Sequence, residues 1–292
     1  MSTKKYNGGK YEFLFSRPIE NLQNANSNLN HKDVFRYRVR TIVCGDTTEV
    51  EMFPIWRDYS QSRTAKAATT REAQKKLNER NAKKTLIRLI NTNFTKDDYH
   101  ITLTYSGDKL PDEKQAIKDM QNFIKRVRYH HKKNGFLDKY GKLDLKYIYV
   151  IEFSDGDGRR KRVHHHLIMN SRMTRNAIKV LWVHGRAGVD ELEPENGSLE
   201  GLARYITKQK LSGKNSKRWQ ASRNLKPYTK KTESDYKLSK RQVETLATDI
   251  ITSAPAILSK SYPNHTLDSC TIKSSEFVAG AYVYAKLYKT RK

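Results

Sequence analysis

The sequence predicts an α+β fold in which helices cover one face of an antiparallel sheet. Residues 145–153, LKYIYVIEF, are strongly β-prone, and the apolar run at 163–169, VHHHLIM, follows a Gly-rich turn. Residues 112–133 carry apolar side chains at helical spacing. Over 99–210 the signals alternate as β-α-β-β-α-β-α. That order contains a split βαββαβ unit, which folds as an antiparallel sheet with its helices on one face.

The other elements of this unit also have local signals. Ile101, Leu103 and Tyr105 alternate with threonines, as expected of a half-buried strand. The remaining elements are expected in chain order as a helix over 173–183, a strand within 185–192 and a helix over 198–209.

The flanking segments divide the rest of the chain. A Gly-Asp turn at Gly45 separates two β-prone halves of a hairpin. The helix over 70–93 is mostly Lys, Arg and Asn, with a narrow apolar stripe. The predicted segments are a flexible basic arm over 1–33, a hairpin and basic helix over 34–94, a central domain over 95–227 and a C-terminal α/β extension over 228–292, with a helix near 238–253 and a strand within 276–288.

Positive charge is the strongest compositional signal. The 292 residues include 57 Lys and Arg against 31 Asp and Glu, a formal net charge of +26. Such an excess self-repels unless an anionic partner neutralises it. Basic residues mixed with aromatics along the whole chain favour nucleic acid. An acidic membrane surface would require a basic amphipathic helix with a strong apolar face, which the sequence lacks.

The sequence predicts a cytoplasmic protein without a membrane segment. No apolar run is long enough to span a bilayer, and the N-terminus lacks the apolar core of a signal peptide. Cys44 and Cys270 match no metal-ligand spacing. A disulfide between them is possible but not implied, so a reducing compartment is the default.

Three consecutive histidines interrupt the strand at 163–169. Alternate residues of a strand share a face, so His164 and His166 point one way and His165 the other. Two imidazoles on one face can ligate one cation. The pattern alone leaves a second interpretation open, because a basic patch facing DNA would also explain adjacent histidines.

Glu152 is a candidate third ligand. It ends an otherwise apolar strand, and a hairpin through 154–160 would bring it near the histidines. A solvated charge at a strand end is the alternative. Two histidines and one carboxylate leave coordination positions open for substrate oxygens and water. Non-haem iron oxygenases use the same ligand set, but they would leave the charge of +26 without a role.

A second short motif lies in the predicted helix over 198–209. Tyr205 and Lys208 are three residues apart and share a helix face, and Arg204 is adjacent. A tyrosine hydroxyl, with an ordinary pKa of about 10, is a poor nucleophile. A nearby cation or metal lowers that pKa or offsets the developing charge. The structural alternative is a core tyrosine beside a snorkelling lysine.

Together these motifs resemble those of the HUH superfamily of single-strand DNA endonucleases. Within it, the chain is similar to the single-tyrosine rolling-circle replication initiators (Rep proteins) of small phages and plasmids. The segments that carry the resemblance are ITLTY at 101–105, VHHHLIM at 163–169, ARYITK at 203–208 and WQASRNLKP at 219–227. His165 departs from the hydrophobic residue usual at the middle position. The single tyrosine of the third motif, Tyr205, argues against the two-tyrosine initiators.

The resemblance implies a ferredoxin-like HUH domain over 95–227 that nicks and rejoins single-stranded DNA at a replication origin. Glu152, His164 and His166 would hold Mn²⁺ or Mg²⁺. Tyr205 would attack the scissile phosphate to form a 5′-phosphotyrosine intermediate, and Lys208 would offset negative charge. The residues expected to contact DNA are Thr102, Thr104, Arg159, Arg160, Arg162, Arg204, Lys214, Lys217, Arg218 and Arg223. A solvated surface is the alternative for the basic clusters among them.

The expected partners are single-stranded or hairpin origin DNA and the replication machinery of a bacterial host. No G-x-x-x-x-G-K-[ST] motif occurs, so strand separation would need a host helicase or supercoiling. Tyr147, Tyr149 and Trp219 would either stack unpaired bases or belong to the core. A conjugative relaxase or a tyrosine transposase of the same superfamily stays open, as does a non-catalytic nucleic-acid-binding protein.

Overall fold

The computed structural model describes residues 35–56, 71–107, 110–154, 160–170, 172–206, 219–275 and 278–290. The chain forms two compact units, one containing the residues up to Ala82, Asn196–Ser198 and those from Tyr228 onward, the other Lys83–Glu195 and Leu199–Pro227. Each unit is built on its own five-stranded antiparallel sheet. The predicted α+β class is confirmed. No helix in these ranges has the length and apolar character needed to cross a membrane.

The elements are numbered in chain order. They are β1 (Phe35–Cys44), β2 (Thr47–Trp56), α1 (Arg71–Asn93), β3 (Tyr99–Thr104), α2 (Glu113–Lys133), β4 (Tyr147–Ser154), β5 (Arg160–Met169), α3 (Arg175–Leu181), β6 (Ala187–Glu191), α4 (Glu200–Ile206), β7 (Gln220–Ala221), β8 (Thr229–Ser234), α5 (Lys240–Thr248), α6 (Ile250–Ser261), β9 (His265–Ser275) and β10 (Val278–Lys289). The predicted arm over 1–33 lies outside the described residues.

The first unit joins both ends of the described chain in one sheet, of strand order β8-β1-β2-β10-β9. The hairpin forms as predicted, with Cys44 paired to Thr47 across the turn. Helices α5 and α6 cover one face through residues such as Leu246 and Leu258. The predicted division of 34–94 from 228–292 is wrong here, because β1 pairs with β8 and β2 with β10. Pairing between distant segments leaves no local mark in the sequence.

The second unit has the strand order β6-β3-β5-β4-β7. Helices α2 and α3 pack on one face, through residues such as Phe123 and Ile178. Helices α1 and α4 pack on the other, where Ile90 and Ala203 lie in one apolar cluster with Ile168. The expectation of helices on one face is therefore correct for α2 and α3 and wrong for α1 and α4. The central strands bury apolar side chains on both faces, so both faces are covered.

Gly185 lies where the chain passes closest to the end of β3. Its φ is +156°, and a Cβ there would lie 2.4 Å from the Thr104 carbonyl oxygen. The Ser106 amide donates to the His184 carbonyl at 2.9 Å, which holds the two segments together. Only glycine tolerates both this conformation and this approach.

Gly185→Ala is expected to lower the free energy of unfolding by about 2–4 kcal/mol, because the new methyl group meets backbone atoms. Gly135→Ala is the matched control, since Gly135 also has positive φ (+65°) but nothing lies within 4 Å of its Cβ position. The control should cost only about 1 kcal/mol. Urea unfolding of both variants is the measurement, and equal losses would contradict the steric explanation.

Candidate nicking site

The three histidines of β5 lie on two faces of the second sheet. Their neighbour Ile168 belongs to the apolar cluster beneath α1 and α4, whereas Leu167 belongs to the cluster beneath α2 and α3. Because side chains alternate along a strand, His164 and His166 share the first face and His165 lies on the second. The described geometry therefore separates the histidines as the strand period predicts.

Glu152 lies beside the two histidines that share a face. Strand β4 pairs with β5 so that Glu152 is directly opposite His164. The Glu152 Oε2 atom lies 2.9 Å from His166 Nε2. The His166 side chain is 7% exposed and that of Glu152 is 26% exposed. The carboxylate is thus reachable from solvent, while the imidazole it contacts is nearly enclosed.

Tyr205 reaches the same site from α4. Its ring centroid lies 5.5 Å from that of His166, and the two rings are nearly perpendicular, at 80°. Leu202 and Ile206 anchor the helix in the core, and Tyr205 itself is 46% exposed. At its N-terminal end, the Leu199 amide donates to Asn91 Oδ1 at 2.7 Å. A helix fixed by its buried side therefore presents an accessible tyrosine next to the histidine.

His100 is a member of the site that the sequence reasoning missed. It stacks on His166 with a centroid distance of 5.7 Å and an interplanar angle of 12°. Burial, followed by the positive charge that His166 would carry, lowers the pKa of His100 to about 4. The imidazole is therefore neutral near pH 7. Its signal was available, because His100 is two residues from Thr102 and shares its strand face.

The donor set is suited to a divalent cation but is not assembled as a complete ligand group. Among the described residues, no three His, Cys, Asp or Glu side chains converge closely enough to hold a metal ion. The Glu152–His166 contact nevertheless supplies a carboxylate oxygen and an imidazole side by side. His166 Nδ1 is buried without a hydrogen-bond partner in the described part of the chain. His164, opposite Glu152, is the remaining donor on this face.

Several predicted DNA contacts are described and differ in environment. Thr102 and Thr104 lie on β3 opposite His166 and His164. Arg204 donates from Nε to Glu200 at 2.6 Å and is only 13% exposed in its side chain. Arg223 is exposed. Arg160 and Arg162 belong to β5, while Arg159, Lys208, Lys214, Lys217 and Arg218 lie outside the described residues.

The three aromatic residues considered for base stacking belong mainly to the core. Tyr147 and Tyr149 are 8% and 5% exposed. Trp219 is partly buried against the apolar cluster beneath α1 and α4. The core alternative is therefore correct for the two tyrosines, because a base cannot stack on an enclosed ring.

His165 belongs to a buried polar chain on the opposite face of the sheet. It is fully buried, and its Nε2 lies 3.0 Å from the Tyr105 hydroxyl oxygen. That hydroxyl donates to Asp119 Oδ2 at 3.1 Å, so Nε2–H of His165 donates to the tyrosine oxygen. Burial, followed by the charges of neighbouring histidines, lowers the pKa of His165 to about 3. The side chain is a neutral, packed core residue.

His165→Leu should retain nicking and change the free energy of unfolding by less than about 1.5 kcal/mol, since the replacement is apolar and similar in volume. Tyr105 keeps its bond to Asp119 in this variant. His165→Ala should cost about 2–4 kcal/mol because it leaves a cavity. Thermal unfolding and a nicking assay on the folded fraction measure the two effects. Equal loss of nicking in His164→Ala, His165→Ala and His166→Ala would contradict the separation of faces.

A protein-family model covers the part of the chain that carries this site. It is the model of the replication-associated protein ORF2 family, and it matches residues 98–210. The match supports a replication initiator-type protein. It includes β3, β5 and α4, and with them Glu152, His166 and Tyr205.

The other comparisons found little. Among solved structures, the chain is similar to a hypothetical protein, ORF119, from Sulfolobus islandicus rod-shaped virus 1. That crystal structure aligns with a TM-score of 0.29 and 14% identity, over 46% of this chain and 97% of that one. None of the curated proteins compared with the chain matches it significantly.

Proposed function

We propose that this protein is a single-tyrosine HUH endonuclease that nicks and rejoins single-stranded DNA to initiate rolling-circle replication. The observation that carries the proposal is the contact between Tyr205 and His166, two residues 39 positions apart whose rings meet at a centroid distance of 5.5 Å. An accessible nucleophile then lies beside a carboxylate–imidazole pair. The replication-associated family match over 98–210 supports the same assignment.

Tyr205 supplies the nucleophile in this scheme. Its hydroxyl oxygen attacks the phosphorus of the scissile phosphodiester and loses its proton to solvent or a nearby base. The bond from phosphorus to the 3′ oxygen breaks, and that oxygen takes up a proton to become a free 3′-OH. The 5′ side of the break stays linked to Tyr205 as a phosphotyrosine. The reverse attack by a 3′-OH rejoins the strand, because the covalent link conserves the phosphodiester bond.

Glu152, His164 and His166 are the residues we assign to a divalent cation, with His100 behind them. When bound, Mn²⁺ or Mg²⁺ would offset the extra negative charge of the phosphate, and imidazole ligands favour Mn²⁺. Stacking on His100 keeps the His166 ring oriented. The Glu152 carboxylate fixes the position of His166 Nε2. Lys208 is assigned to charge neutralisation at the tyrosinate or the phosphate.

The proposed substrate is single-stranded or hairpin origin DNA, bound along the basic surface of the second unit. Thr102, Thr104 and the exposed Arg223 are described residues assigned to this contact. A host helicase and polymerase would extend the 3′-OH that nicking releases. The site of action would be the cytoplasm of the bacterial host.

A covalent-capture assay tests this function without knowledge of the origin. The full-length protein is incubated with a random single-stranded DNA library and Mn²⁺, and adducts that survive denaturing electrophoresis are sequenced. We expect a Mn²⁺-dependent adduct with one enriched sequence. Non-covalent DNA binding without any adduct would favour a binding protein over a nickase.

A further inference from the structure

The outer face of α2 carries a row of cations that the proposed nicking reaction does not use. We call this set the α2 cation row; it contains Lys114, Lys118, Lys125, Arg128 and Lys132, all exposed. At about 100° per residue, these positions lie within about 80° of one another around the helix. The apolar side of the same helix, which includes Met120 and Val127, is buried against the sheet. The row therefore faces away from the core along the whole helix.

Acidic side chains of α2 do not interrupt this row. Glu113 lies in the first turn, off the row. Asp119 is buried and accepts hydrogen bonds from Tyr105 at 3.1 Å and Gln115 at 2.7 Å. Cations four residues apart, such as Arg128 and Lys132, repel each other along a helix. An anionic partner would relieve that repulsion, so the row is electrostatically complementary to a polyanion.

The shape of the row distinguishes between kinds of nucleic acid. From Lys114 to Lys132 it follows about 27 Å of rigid helix, close to the length of about eight base pairs of a duplex. Sites for single strands place aromatic rings between the cations, so that unpaired bases can stack. The row has none; the exposed aromatic of α2, Tyr129, lies beside its C-terminal end. A straight line of point charges instead suits the regular phosphate backbone of a duplex.

We propose that the α2 cation row binds the phosphate backbone of duplex DNA. Helix α2 packs on the sheet face that contains His165, whereas His166 and Tyr205 lie on the opposite face. A duplex held on the row would stay outside the nicking site. The row is therefore a second, sequence-independent DNA contact, and it does not depend on the chemistry of Tyr205.

The test compares two full-length triple variants. K118Q/K125Q/K132Q removes three charges from the row. K96Q/K179Q/K260Q removes three charges from exposed positions elsewhere and is the matched control. Affinity for a duplex of about 20 base pairs is measured by fluorescence anisotropy between about 0.05 and 0.3 M salt. The row variant should bind about 10- to 100-fold more weakly, with a log–log salt slope smaller by about three.

The control variant should change the salt slope by less than about one. Equal losses in both variants would mean that net charge alone drives duplex binding, and an unchanged row variant would exclude the row; either result overturns the proposal. A larger loss for a single strand than for the duplex would also overturn it. Y205F should bind the duplex as the wild type does. This arm stays informative even if the protein forms no adduct, so failure of the nicking function is distinguishable.

Discussion

Tyr205→Phe should abolish the covalent protein–DNA adduct and leave the fold and DNA affinity intact. Phenylalanine keeps the ring that meets His166 at 5.5 Å but lacks the attacking oxygen. Removal of a covalent nucleophile lowers the rate by about 10⁴-fold or more. A denaturing gel of the sequence selected by covalent capture measures the adduct. Anisotropy and thermal unfolding check that binding and folding persist.

Tyr140→Phe is the matched control for this loss. Tyr140 is 73% exposed, and it lies in the second unit but not among the site residues. Its variant should form the adduct at the wild-type rate. If the Tyr205→Phe protein still forms an adduct, another residue is the nucleophile. The contact between Tyr205 and His166 would then be only structural.

His166→Ala should lower nicking by about 10²–10³-fold in a protein that still folds. The substitution removes three contacts at once: the 2.9 Å contact with Glu152, the stack on His100 and the edge contact with Tyr205. Mn²⁺ affinity, measured by calorimetry on the DNA-free protein, should fall in parallel. A chelator should stop nicking by the wild type.

His130→Ala is the control for the loss of one imidazole. His130 lies at the C-terminal end of α2, where its ring packs near Phe136, and not in the nicking site. Mn²⁺ affinity and nicking should both stay at the wild-type level. A His166→Ala protein that binds Mn²⁺ as tightly as the wild type would remove His166 from the ligand set, whatever its nicking rate.

The local elements of the fold could be predicted from the sequence because each has its own signal. Alternation predicted β3, helical spacing predicted α2, and the Gly-Asp turn predicted the hairpin β1–β2. The predicted helix near 238–253 is in fact two helices. Asp249 leaves the helical conformation and accepts a hydrogen bond from the Thr252 amide, which starts α6. A polar cap inside a run of helix-forming residues was too weak a signal to separate them.

The pairing of distant strands was beyond the sequence. The β9 segment, HTLDSCTIKSS, is mostly polar and was not predicted as a strand. It is held by β10, with which it pairs from His265 to Ser275. The second helical layer of α1 and α4 was missed for a related reason. Its partner surface is the far face of strands whose other face already explained their apolar residues.

The candidate site shows the same division. The period of two separated His165 from its neighbours, and the hairpin placed Glu152 near His166 once the strand register was known. The approach of Tyr205 to His166 could be expected only from the family resemblance, because it joins two elements distant in the chain. His100 was missed because it lies just before the ITLTY segment rather than within it.

The central claim is that Tyr205 becomes covalently linked to the 5′ side of a broken DNA strand. Mass spectrometry of the nuclease-treated, protease-digested adduct tests it most directly. The account predicts a nucleotide attached through a 5′-phosphate to the peptide that contains Tyr205, together with a released fragment ending in 3′-OH. A nucleotide on any other residue, or a link through a 3′-phosphate, would contradict it.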